Sequence, residues 1–127
     1  MILNRVWIFA FLLAVGGCAA FIPVVNLDEL PAEERGAVDS IRIYSSTQLA
    51  GVKYEVVDTV EGHSCQSGVF GPAASGSAAI EQARYHAYKR GANGITNIRF
   101  GPRGGMVIPL NCWAVISCTA DAITVTQ

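Results

Sequence analysis

An apolar run opens the chain. Val6 to Val15 is unbroken by any charge and follows Arg5, the one charged residue before it. Ten helical residues rise about 15 Å, roughly half of a bilayer's hydrocarbon core, so the run is too short to span a membrane. Further along, the apolar positions take a period of two. Ile41, Ile43 and Ser45 alternate with Arg42 and Tyr44, which predicts a short strand with both isoleucines on the core face. Thr47–Gly51 reads as a turn or loop. Val52–Glu61 is rich in β-branched and aromatic residues and predicts a second strand, closed by Gly62. His63–Gly76 holds Gly68, Gly71, Pro72, Ser75 and Gly76, the composition of a long surface loop.

One helix is expected next. Ser77 is a plausible N-cap, and Ala78–Arg90 contains neither proline nor glycine. Lys89 and Arg90 suit the negative end of the helix dipole, and Gly91 suits the left-handed stop. Ile80, Ala83 and Ala87 make a narrow face of mostly small residues, which lets a helix lie close on a sheet. Gly94–Phe100 predicts a strand and Gly101–Gly105 a turn. Val107–Val125 supplies the final strand or two, with Pro109 keeping its first part at an edge. Cys112, Ala114, Ile116 and Cys118 share one face of it, and Trp113, Val115 and Ser117 the other. The order β-β-α-β-β predicts an α+β fold: a small, mostly antiparallel sheet with one packed helix.

The start of the chain then acquires a meaning. A basic residue, a short apolar run and a small-residue exit are the parts of an export signal. The exit, Val15-Gly16-Gly17-Cys18, resembles the lipobox of bacterial lipoproteins. That resemblance implies a signal peptide over 1–17, a diacylglyceryl group on the Cys18 thiol, and cleavage just before it. Several acyl chains on one residue exceed what stable anchoring needs. Ala19 follows, where Asp would favour the inner membrane in enterobacterial lipoproteins, so the implied address is the outer membrane. Removing 17 of 127 residues leaves one small domain and a tether. Of nine basic residues Arg5 leaves with the leader, and ten acids remain, a balance that does not favour nucleic acid as a partner.

Residues 18–38 are read as the lipidated N-terminus and tether, and 39–127 as the domain. Ala19–Leu27 is apolar enough to lie near lipid headgroups or on a partner. Glu29–Gly36 is expected to form one or two helical turns, with Pro31 at the first position and Gly36 as the stop.

Cysteines carry most of the chemistry. Export implies an oxidising compartment. With Cys18 committed to lipid, Cys65, Cys112 and Cys118 remain, an odd number. If Cys112 and Cys118 lie on one extended stretch, their Cα atoms are about 20 Å apart, beyond the disulfide limit of about 7 Å. Cys65 is therefore expected to bond one of them, and spacing does not choose which.

The run IRIYSSTQLAGVKYEVVDTVEGHSCQ, residues 41–66, resembles the entry to the domain of the RcsF family, outer-membrane lipoprotein sensors of the Rcs envelope-stress phosphorelay. The helix exit Arg90-Gly91-Ala92-Asn93-Gly94-Ile95 and the late run CWAVISC, residues 112–118, are similar to later family motifs in the same order. The likeness covers about residues 41–120. A wider set of small bacterial domains grouped as heavy-metal-binding shares the Gly-Ala-Asn helix exit. The resemblance implies a disulfide between Cys65 and Cys112. It also implies a second disulfide, from the end of the strand after the helix to the last cysteine. Here that strand end is Phe100 or a neighbour, so Cys118 lacks its family partner. A buried free thiol is the commoner fate of such a cysteine, and an intermolecular bond is the alternative. The tether also departs from the family, being short, with only Pro23 and Pro31.

Other candidate sites are weaker. His63 and Cys65 form a pair of possible ligands, but zinc needs three or four, and His86 is the only other histidine. No metal and no cofactor beyond the lipid on Cys18 is expected. Ser64 and Ser77 near His63 lack an orienting acid, and Gly101-Pro102-Arg103-Gly104-Gly105 lacks the lysine and the strand–loop–helix order of a phosphate loop. Arg84, Lys89, Arg90, Arg99 and Arg103 are read as solvated charge, with a basic face for an acidic partner as the alternative. No enzymatic turnover is expected. The resemblance implies an outer-membrane-anchored sensor facing the periplasm, whose partners are the bilayer through Cys18, outer-membrane barrel proteins and an inner-membrane regulator. The loop Gln66–Gly76 with the adjoining helix is the expected contact surface. The alternative is a ligand- or metal-binding module without a signalling role.

Overall fold

A computed structural model of the chain describes residues 24–101 and 112–126. After a 3-10 turn at Leu27–Glu29, the elements in chain order are α1 (Ala32–Asp39), β1 (Arg42–Tyr44), α2 (Ser46–Leu49), β2 (Tyr54–Gln66), α3 (Gly76–Lys89), β3 (Gly94–Phe100) and β4 (Ala114–Val125). The strands form one four-stranded sheet in the order β1-β3-β4-β2. β4 runs antiparallel to both of its neighbours, and β1 pairs parallel with β3. The fold is thus α+β, with a mixed sheet in which antiparallel pairing dominates.

The core lies between α3 and one face of this sheet. Ala79, Ala83 and Ala87 of α3 are fully buried against Val60, Ile95, Cys118, Ala120 and Ala122. A helix whose inner face is alanine can approach a sheet closely, and Gly62 marks the closest point. A Cβ built there would collide with the Ala79 carbonyl oxygen and lie 2.7 Å from the Ala83 nitrogen. Gly62 therefore does not close β2; it lies inside the strand, opposite Cys118. β2 continues through His63, Ser64, Cys65 and Gln66, which the sequence assigned to the loop. Glycine weakens a strand signal, but here the missing side chain is what admits the helix.

Local signals fix the ends of α3. Its N-cap is Ser75, whose side chain accepts from the Ala78 amide at 3.2 Å, rather than Ser77. At the other end Gly91 adopts φ +77°, Gly91 N–H donates to Tyr88 and Ala92 N–H to Ala87. That is the Schellman arrangement, and it explains the Gly-Ala-Asn exit. The expected turn at Thr47–Gly51 contains a helical turn instead. Ser45 and Gln48 cap it reciprocally, the Gln48 amide donating to Ser45 Oγ and the Ser45 amide to Gln48 Oε1.

Two sequence expectations fail near the N-terminus. Ile41 is buried but Ile43 is 47 % exposed, on a three-residue strand at the edge of the sheet. Gly36 does not stop α1, which runs on to Asp39. Residues from Val25 to Asp39 also lie against the domain. Gln82, buried on α3, accepts from the Val25 amide at 3.0 Å and donates to the Val25 carbonyl at 2.7 Å. Val38 is fully buried, and Lys89 meets Glu34 at 2.7 Å.

Candidate functional site

Cys65 and Cys112 are bonded, with Cα atoms 5.3 Å apart. The register explains their meeting. Gln66, at the end of β2, stands opposite Ala114, and the Trp113 amide donates to the Gln66 carbonyl at 2.7 Å. The bond therefore ties the last turn of the β2–β4 ladder to the chain just before it. Closing a loop over this separation of 47 residues contributes roughly 4 kcal/mol in the chain-entropy model.

Cys118 is a free thiol, 1 % exposed. Burial pushes its pKa up, opposed by a hydrogen bond from the Gly62 backbone. A protonated, enclosed thiol is a poor nucleophile. Its cross-strand partner is Phe100, on the last residue of β3. The strand end that faces Cys118, expected from the sequence at Phe100 or a neighbour, is thus Phe100 and carries no thiol. Cys18, the expected lipidation site, lies outside the described residues, as does Arg103.

The histidines sit apart in function. His63 Nδ1 and the hydroxyl of Ser117 share a hydrogen bond of 2.7 Å, and His63 Nε2 lies 3.7 Å from Glu61. Ser117, and not Ser64 or Ser77, is the serine hydrogen-bonded to His63, a placement that only the β2–β4 register provides. At 3.7 Å the Glu61 carboxylate is an ionic neighbour and not a hydrogen-bonded orienting group. Ser64 instead accepts from the Ser75 amide at 3.0 Å, helping to seat the start of α3. His86 has its pKa lowered, first by burial and then by the charges of Arg90 and His63. Among the described residues, no three of the His, Cys, Asp and Glu side chains gather as metal ligands.

The described members of the candidate basic face, Arg84, Lys89, Arg90 and Arg99, all have acidic partners. Arg84 bonds Glu81 and the carbonyls of Asp39 and Ile41; Arg90 meets Asp58 at 2.7 Å and Arg99 meets Asp121 at 3.6 Å. With Lys89 on Glu34, four cations named from the sequence neutralise the protein's own acids.

A groove of about 850 Å³ is lined by Ile43, Tyr54, Val56, Ile98, Asn97 and Asp121 among others. Asn97 has φ +54°, and is the only described non-glycine residue with positive φ. It sits where the β3–β4 register shifts, and its amide donates to Asp121 at 3.2 Å. Asparagine tolerates this conformation better than most residues, but nothing in the sequence pattern announced a bulge there.

Compared with known proteins, the chain matches no family model and no curated protein sequence. Among the described residues no helix is long and apolar enough to cross a membrane.

Proposed function

We propose that the protein is an outer-membrane-anchored, non-catalytic lipoprotein that senses or relays envelope stress through protein contacts, in the manner of the RcsF family. The observation that carries this reading is the cysteine framework. Cys65 bonds Cys112, the pairing the resemblance implies, and Phe100 stands opposite Cys118 where the family's second bond would close. A disulfide suits an oxidising compartment, which agrees with an export signal at 1–17 and lipidation at Cys18. An anchored sensor works by position: damage to the envelope changes which partner its domain reaches. The test is to delete the gene in a host that has the phosphorelay, apply an envelope-damaging agent and follow a downstream reporter. Loss of the response, restored by the wild-type gene, is expected. A normal response in the deletion strain would remove the sensor reading.

A second reading, a periplasmic binding module, is favoured by the groove around Asn97 and Asp121. Backbone strain collects where a fold orients a side chain for a purpose, and here a carboxylate and an amide face an apolar trough. Asn97→Gly would relieve the strain, and under this reading it would raise stability while changing what the groove retains.

A further inference from the structure

The described parts of three uncharged stretches of sequence meet at one pole of the molecule. From Ser64 to Ile80 no residue is charged, from Gly104 to Ala120 none is, and Val6 to Leu27 is likewise free of charge. The structure joins the described parts of all three. The loop after β2 runs back past the start of α3, the Trp113 amide is bonded to Gln66, and Val24 lines a cleft with Cys65, Pro72 and Ser75. Asp28, on the same cleft, is the first acid met as the chain turns away towards α1.

This pole is also where large apolar side chains stand in solvent. The turn Gly68–Gly71, closed by the Gly71 amide on the Gly68 carbonyl, carries Val69 and Phe70 at its tip. Phe70 is 102 % exposed, so it contributes no packing to the fold. Gln66 holds the turn from below through the Gly71 carbonyl. Trp113 and Phe100 are about half exposed beside it, Phe100 leaning against Gly76. An aromatic tip and a tryptophan on uncharged segments, with Asp28 on the adjoining cleft, are the composition of a surface that rests in the headgroup region of a bilayer.

The chain's own connectivity says which surface this is. Val24 is six positions after Cys18, a reach of at most about 20 Å. β2 spans 13 residues, so the far end of the sheet stands about 40 Å from this pole. A lipid on Cys18 therefore keeps the uncharged pole, and not the opposite one, at the membrane. We infer that the Val69–Phe70 tip and Trp113 dock the domain onto the bilayer that holds its anchor, as a second contact beside the lipid. The inference rests on the anchor reading, and deepens it: the domain stands on the membrane in one orientation, with Gly91 and the far end of β2 directed away.

Processing leaves Trp113 as the only tryptophan, because Trp7 departs with the leader. The lipidated protein is reconstituted into phosphatidylcholine vesicles with and without bromine on the upper acyl chains. Flotation with the vesicles is expected, together with a blue shift of Trp113 emission and loss of most of it in the brominated vesicles. A Val69→Asp/Phe70→Asp variant is expected to float equally and to recover the emission; both side chains are exposed, so the fold is kept, checked by the intact Cys65–Cys112 bond. Failure to float would overturn the anchor and this inference together. Flotation without quenching would overturn the docking alone, and a crosslink from residue 70 to an envelope protein in cells would then assign the pole to a protein partner.

Discussion

Phe100 and Cys118 face one another across β3 and β4. Cross-strand partners have Cα atoms about 4.5–5.5 Å apart, inside the range a disulfide accepts. Phe100→Cys is therefore expected to close a second bond with Cys118. Non-reducing peptide mapping decides it, and two free thiols in the variant would count against the family framework. In the wild-type protein, Cys118 should react with maleimide only after denaturant is added, since burial holds it protonated. His86 gives the complementary test in pH. Its folded pKa is depressed below 6.5 by burial and by Arg90, so the unfolded chain binds the proton more readily. Stability from this group is complete above about pH 6.5 and is lost as pH falls through the lowered folded value. His86→Gln should flatten the Tm profile between about pH 7 and pH 5; an unchanged slope would place the acid sensitivity elsewhere.

The elements rest on a close approach that the sequence half disclosed. The small face of α3 was legible in Ala83 and Ala87, and the stop at Gly91 in its glycine after two cations. β3 was legible to the residue, because Gly94–Phe100 is bounded by glycines. Gly62 was read the other way. A glycine after an apolar run looks like the end of a strand, and only the position of α3 shows it to be the contact point. The same mistake shortened β2 and lengthened the following loop. Asn97 and the His63–Ser117 pair were not legible at all, since both depend on the register of β4, which no local pattern encodes. The reading of Gly62 is testable. Gly62→Ala pushes a methyl into the Ala79 carbonyl, which backbone cannot easily yield. The expected cost is about 3 kcal/mol, the upper end for overpacking, seen as a lower urea midpoint. A change under about 1 kcal/mol would mean α3 can lift from the sheet.

At the scale of the whole molecule, the residues before β1 are held against α3. Val25 is clamped by Gln82, and α1 is pinned to α3 through Glu34 and Lys89, so the folded body begins only a few residues after Cys18. A short leash of this kind makes the site of attachment decisive for where the domain can go. Under the proposed anchor, Cys18→Ser removes the thiol that would carry the lipid, while Cys65, Cys112 and Cys118 belong to the fold. The variant is expected either to keep residues 1–17 as an unprocessed precursor or to appear soluble in the periplasm, with the Cys65–Cys112 bond intact in both cases. Membrane fractionation separates the two outcomes, and mass spectrometry of the wild-type N-terminus should find acyl chains on Cys18. An unmodified Cys18 on the mature native protein would remove the anchor. The uncharged pole at Phe70 and Trp113 would then lose its reason to face a bilayer.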